Sequence, residues 1–140
     1  MTPDQIIAAA RTCLKTPFVH QGRLPGVALD CAGLVVAVAR ALEIDHLDFP
    51  GYGRRPANGQ LKAALDAQPE LREVSASAIL PGDILLMAFE REPQHLAIYA
   101  GATLIHSWAA PGEVCEHDFS EIWQRRTIAA YRFVGVVHEQ

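Results

Sequence analysis

Cysteine is scarce in this chain: Cys13, Cys31 and Cys115 are all there are. An odd number at irregular spacing argues against a disulfide framework and against a cysteine-based zinc site, so no metal or cofactor is expected. No apolar run approaches the roughly 20 residues that cross a bilayer. The start, Met1-Thr2-Pro3-Asp4-Gln5-Ile6-Ile7, lacks the basic and long apolar regions of a secretory signal. Synthesis in the cytoplasm is therefore expected, with no membrane partner. Excess positive charge is also missing. At a net charge of −4 nothing points to nucleic acid. Repeats, low-complexity tracts and domain boundaries are absent too, so residues 1–140 are expected to form a single domain. Half of the residues are hydrophobic, enough for a core without staples.

What is present begins at Asp30-Cys31-Ala32-Gly33-Leu34. Leu34, Val35, Val38, Ala39 and Leu42 recur at three- and four-residue steps, which predicts a helix from about Cys31 to Glu43 with Asp30 as its N-cap. A thiol in the first turn feels the partial positive charge of unpaired backbone N–H groups, which favours the thiolate. This predicts a partly exposed Cys31 that titrates below an ordinary thiol. A buried, inert cysteine fits the same position. Gly33 keeps the turn free of bulk.

His95, Ala97 and Tyr99 alternate with Leu96, Ile98 and Ala100. A Gly101-Ala102-Thr103 connection then leads into Leu104-Ile105-His106, so the segment reads as a hairpin. Antiparallel pairing brings His95 and His106 together. A nucleophile, a base within reach and a third polar group that fixes the base's tautomer are what a cysteine peptidase requires. Cys31, His95 and His106 supply these in order.

Elsewhere, Thr2, Pro3 and Gln5 open a helix with Ile6, Ile7, Ala10 and Leu14 on its apolar face, ending by Thr16-Pro17. Phe18–Leu29 and Ile44–Asn58 are punctuated by Gly and Pro and read as loops that line a site. A short helix follows Asn58. From Leu71 the pattern turns to short strands, including Asp83–Phe89, with a short helix over Phe119–Arg126 and a closing strand over Thr127–Phe133. Helices first and antiparallel strands afterwards form an α+β signature. Asp83 suits a turn, and His46, His117 and His138 have no companion at useful spacing.

Five segments, Thr16-Pro17-Phe18-Val19-His20-Gln21-Gly22, Asp30-Cys31-Ala32-Gly33-Leu34, Pro81-Gly82-Asp83-Ile84, His95-Leu96-Ala97-Ile98-Tyr99-Ala100-Gly101 and Leu104-Ile105-His106, together resemble the NlpC/p60 cysteine peptidases of bacterial peptidoglycan. The resemblance covers about residues 14 to 133. It implies a papain-like α+β fold in which the helix bearing the nucleophile packs on a C-terminal antiparallel sheet. Cys31 becomes nucleophile, His95 base and His106 orienting residue, acting on stem-peptide amides beside D-glutamate, of the D-Glu–diaminopimelate type. The His20-Gln21-Gly22 segment and the Tyr52-Gly53-Arg54-Arg55-Pro56 loop look like the stand-alone peptidases of phage and gene-transfer-agent tail clusters. That likeness implies tail-tip partners and action at the wall or periplasm, within a phage-like particle or after lysis. Where the family often has Tyr, this chain has Phe18, which cannot donate a hydrogen bond. Oxyanion donors would then be backbone N–H groups or His20. Arg23, Arg54 and Arg55 in the loops suit stem-peptide carboxylates, and they equally suit solvated loop positions. Tyr52 and Trp108 suit a groove wall or simple packing. Two alternatives follow from the same residues: a tail-tip assembly component with vestigial or secondary hydrolysis, and another thiol amidohydrolase or acyltransferase.

Overall fold

The computed structural model describes residues 1–48, 52–53, 59–89 and 92–138. Helix α1 (Pro3–Arg11) opens with the expected capping box, Thr2 and Gln5 satisfying each other's backbone N–H groups, and with Pro3 in its first turn. It stops at Arg11, short of the expected Thr16. Thr12 is its C-cap, and Cys13 is buried just beyond it. The loop that follows contains a small hairpin, β1 (Arg23–Leu24) with β2 (Ala28–Leu29). Helix α2 (Cys31–Ala41) starts where the pattern placed it. A short α3 (Gln60–Asp66) completes the helical half.

The second half is one antiparallel sheet: β3 (Leu71–Val74), β4 (Ile84–Phe89), β5 (Glu92–Tyr99), β6 (Thr103–Trp108), β7 (Glu113–Asp118) and β8 (Thr127–Phe133), with α4 (Glu121–Arg126) before the last strand. Their order is β3-β8-β4-β5-β6-β7. Strand β7 carries no apolar alternation of its own, and periodicity did not reveal it. Six strands with helices packed on them realise the expected α+β, papain-like arrangement.

Alternation along the strands divides the core. Ile84, Leu86, Leu96, Ile98 and Ile105 join the α1 and α2 residues in one cluster, whereas Leu85, Met87, Ala97 and Leu104 join Trp123 of α4 in another. Both faces of the central strands are thus covered, which is why β4 reads as a continuous apolar run rather than an alternating one. Asp83, buried at the start of β4, is held by Arg132 at 2.8 Å, a structural role consistent with its turn position.

The loop before α2 can cross the helix only because the first turn is bare. A Cβ on Gly33 would stand 2.0 Å from the Gly22 carbonyl oxygen, where the preceding loop crosses the helix. Gly33→Ala must displace backbone, and overpacking of this kind costs about 3 kcal/mol. For a chain of this size that corresponds to a Tm drop on the order of 10 °C by calorimetry. A variant melting with the wild type would remove the constraint.

Candidate active site

The site is built outward from Asp30. In extended conformation it caps α2, its Oδ1 accepting the Gly33 N–H at 2.8 Å. The carboxylate is 3% exposed and lies among donors. Arg23 Nη1 donates to Oδ1 at 3.0 Å and the Gln21 N–H to Oδ2 at 2.8 Å, while the Tyr52 hydroxyl donates to Oδ2. Arg23 also reaches the Tyr52 hydroxyl oxygen at 2.9 Å and Asp48 at 3.1 Å. The expectation that Arg23 awaits a substrate carboxylate is therefore corrected: its guanidinium is consumed by two carboxylates of its own chain. Tyr52 is likewise turned inward through its hydroxyl. Arg54 and Arg55 lie outside the described residues.

Cys31 occupies the first position of α2, and the backbone N–H groups of Leu96 and Ala32 act on its sulfur. Only 9% of the residue is exposed. Burial, reinforced by the Asp30 charge, pushes the thiol up to about 12. This reverses the expectation of an exposed, low-pKa thiol. The helix terminus does favour the thiolate, but dehydration of the anion is the larger effect, and the cap that makes the helix start here adds a negative charge beside the sulfur. At neutral pH Cys31 is therefore held as the thiol.

A row of three imidazoles lies on the α4 side of the sheet. His95 Nε2 and His106 Nδ1 are 2.6 Å apart, as the hairpin predicts, and His106 Nε2 lies 2.7 Å from His117 Nε2. His117 Nδ1 meets the Asp118 carbonyl oxygen at 2.9 Å. Spacing along the chain gave His117 no partner. It has one because β7 pairs with β6, setting His117 opposite Leu104 and on the face that carries His106.

A carbonyl oxygen only accepts, so His117 carries its proton on Nδ1 and offers a bare Nε2. His106 then donates from Nε2 and is bare at Nδ1, and His95 donates from Nε2 in turn. With all three rings neutral, His95 is left with an unprotonated Nδ1, the one ring nitrogen not already engaged. Burial keeps His95 well below the usual imidazole range, helped by His106, Arg126 and His117, and holds His106 down to about 3. The resting pair is a neutral thiol and a neutral imidazole of fixed tautomer.

Cys31 and His95 line one cleft of about 540 Å³, whose walls include Phe18, His20, Tyr52 and Trp108. His20 stands edge-on to the Tyr52 ring at 5.5 Å. Two further residues went unnoticed in the sequence. Ser107 is buried and donates to the Leu29 carbonyl at 2.7 Å, tying the His106 strand to the start of α2. Arg126 lies in the cleft wall over Phe89 and Trp123, at 5.0 and 4.6 Å from their ring centres, without an ion-pair partner among the described residues. Its only sequence signal was its place at the end of a short helix. His46 and His138 are bonded to the backbone carbonyls of Ile44 and Pro81 and do not line the cleft.

Comparison with protein families matches residues 15–132 to the model of the NlpC/P60 family. Comparison with curated proteins returns no match. Among solved structures, an NlpC/P60 family protein from Bacillus cereus ATCC 10987 superimposes with a TM-score of 0.72 at 19% identity, over 96% of this chain and 41% of that one. The NlpC/p60 domain of the peptidoglycan hydrolase SagA gives 0.63 at 23% identity, covering 93% and 97%. The peptidoglycan hydrolase RipB from Mycobacterium tuberculosis gives 0.63 at 17%, covering 94% and 64%. At these identities the likeness is one of fold.

Because the Cys31 thiol is raised, its alkylation by iodoacetamide, followed at the Cys31 peptide by mass spectrometry, should keep rising through pH 9 and 10. A plateau with a midpoint at or below pH 8 would contradict a buried, undissociated thiol. His117→Phe removes the acceptor that fixes the row of tautomers. At pH 7 it should slow Cys31 alkylation about 10- to 100-fold, the range for losing an outer hydrogen-bond partner. Unchanged alkylation in a folded variant would reduce His117 to a strand residue.

Proposed function

The chain belongs to the NlpC/P60 family, and on that premise we propose that it is a cysteine peptidase that hydrolyses stem-peptide amides of bacterial peptidoglycan. The observation that carries this reading is the capped, buried thiol of Cys31 sharing a cleft with His95, whose free nitrogen is Nδ1. As the Cys31 sulfur bonds to the carbonyl carbon, its proton passes to His95 Nδ1 and the carbonyl π electrons move to oxygen. The oxyanion is met by first-turn backbone N–H groups, with His20 the side-chain donor available in the cleft, since Phe18 offers none. Collapse expels the amine, which takes the proton back from His95 and leaves a thioester. Water, deprotonated by the same nitrogen, then releases the carboxylate and restores the thiol.

Proton transfer concerted with attack suits this site, because neither ion of a separated thiolate–imidazolium pair is solvated there. Arg126 suits a free carboxylate of the stem, which supports a scissile bond beside D-glutamate, of the D-Glu–diaminopimelate type, as a narrower part of the reading. Its guanidinium already rests on two aromatic faces and retains its in-plane donors. Association with a phage or gene-transfer-agent tail is the narrower part of the proposal. The His20-Gln21-Gly22 segment and the Tyr52–Pro56 loop support it.

Incubation with muropeptides, with products identified by mass, tests the reading. Wild type should release fragments cut beside D-glutamate, and Cys31→Ala should release none. Arg126→Gln should raise KM by about tenfold or more with kcat largely kept, the equivalent of a charge-assisted hydrogen bond. No cleavage by a folded wild type would favour a structural role in a tail tip, and an unchanged KM would remove Arg126 from substrate binding.

A further inference from the structure

Strand pairing assembles a second cluster of donors behind the catalytic pair. Across the β6–β7 ladder His106 faces Cys115 and Leu104 faces His117. Cys115 and His117 are two residues apart on one strand, so the three side chains leave the sheet on one side. One ring nitrogen each from His106 and His117 and the Cys115 sulfur lie within 4.8 Å of one another. His106 is buried whereas Cys115 and His117 are half-buried, so the cluster is reached from solvent along β7.

The donor set selects the cation. Two imidazoles and a thiol suit a borderline-soft divalent ion of the zinc class and are poor ligands for magnesium or calcium. Tetrahedral zinc holds nitrogen at about 2.0–2.1 Å and sulfur at about 2.3 Å, which spaces the donors roughly 3.3–3.7 Å apart. The two Nε2 atoms, 2.7 Å apart now, need to open by only a little over half an ångström on that spacing. One outer hydrogen bond that a ligating histidine needs is in place. His117 donates its other ring N–H to the Asp118 carbonyl, the usual support of a ligating histidine. Trp108 stacks on His106 at 5.6 Å, and Trp123 stands 4.9 and 5.1 Å from His106 and His117.

We propose that His106, Cys115 and His117 form an inhibitory site for a zinc-class divalent cation, with water as the fourth ligand. The inhibitory part rests on the reading of Cys31 and His95 as the catalytic pair. The consequence follows from proton positions. With the ion on both Nε2 atoms, the His117 proton stays on Nδ1 and the His106 proton moves to Nδ1, from which it donates to His95 Nε2. His95 must then carry its own proton on Nδ1, the nitrogen that has to receive the thiol proton. The count of imidazole protons is unchanged, and the one proton lost, from Cys115, goes to solvent. The ion therefore disables the base without touching thiol or substrate.

Cobalt(II) is the direct probe. In Cys31→Ala protein it should bind one to one, with a thiolate charge-transfer band and the visible bands of a four-coordinate ion, displaced by zinc. The further change Cys115→Ala should abolish the charge-transfer band and weaken binding by more than the roughly 10–100-fold that losing an outer partner costs. Nitrogen-15 shifts of the imidazoles should report His95 moving its proton to Nδ1 on zinc addition. With muropeptides, zinc should inhibit wild type, whereas Cys115→Ala should keep basal turnover and become at least about tenfold less sensitive. Absence of the band, its persistence without Cys115, an unmoved His95 tautomer, or equal zinc inhibition of Cys115→Ala would each overturn the proposal. A folded wild type inactive without metal would refute the hydrolase reading alone, the cobalt and nitrogen-15 results still deciding the site.

Discussion

The buried carboxylate of Asp30 is the constraint on which the site depends. It caps α2, and in doing so fixes where the first turn begins and hence where the Cys31 sulfur sits. A bare carboxylate could not occupy that position, so the chain surrounds it with Arg23, Tyr52 and the Gln21 N–H. Breaking a buried pair of this kind by removing one partner typically costs about 3–5 kcal/mol, and the effect here would pass straight into the geometry of the nucleophile. The arginine and tyrosine of the loop thus hold the helix that carries the thiol.

The same carboxylate has an electrostatic consequence. Together with burial it disfavours the thiolate of Cys31. On the proposed reading the thiol is activated by a base of defined tautomer, which the row of imidazoles supplies. Their order is set at the far end by a group with no choice: the Asp118 carbonyl accepts and never donates. Polarity propagates from that oxygen through His117 and His106 to His95 by the donor–acceptor alternation of neutral imidazole. A chain of this sort is sensitive to anything that binds its middle members, which is the basis of the cation site proposed at His106, Cys115 and His117.

Two close contacts fix the start of α2. Gly33 lets the loop before α2 cross the helix at backbone distance, and Ser107 ties β6 to Leu29. The first sets α2 against the loop that precedes it, and the second ties it to the strand that carries His106. Neither touches the reacting atoms, yet a shift of an ångström in either would misalign proton donor and acceptor.

By itself the sequence determined those features that are encoded locally. The 3.6-residue period after Asp30, the capping residue, the Thr2–Gln5 box and the alternation around His95 and His106 specify α2, α1 and the hairpin, because each depends on neighbours within one or two turns. The place of Cys31 at the start of α2 and the approach of His95 to His106 were legible for that reason, as was the α+β class. Tertiary structure alone decided the rest. Strand β7 lacks alternation and exists because β6 offers it an edge, so His117 and Cys115 acquired partners that no spacing could reveal. Arg23 and Tyr52 changed meaning once Asp30 was seen to be buried among them, and the thiol's ionisation changed sign with its dehydration. Burial and cross-strand neighbours are sums over the whole packed chain, and a local pattern carries no record of them.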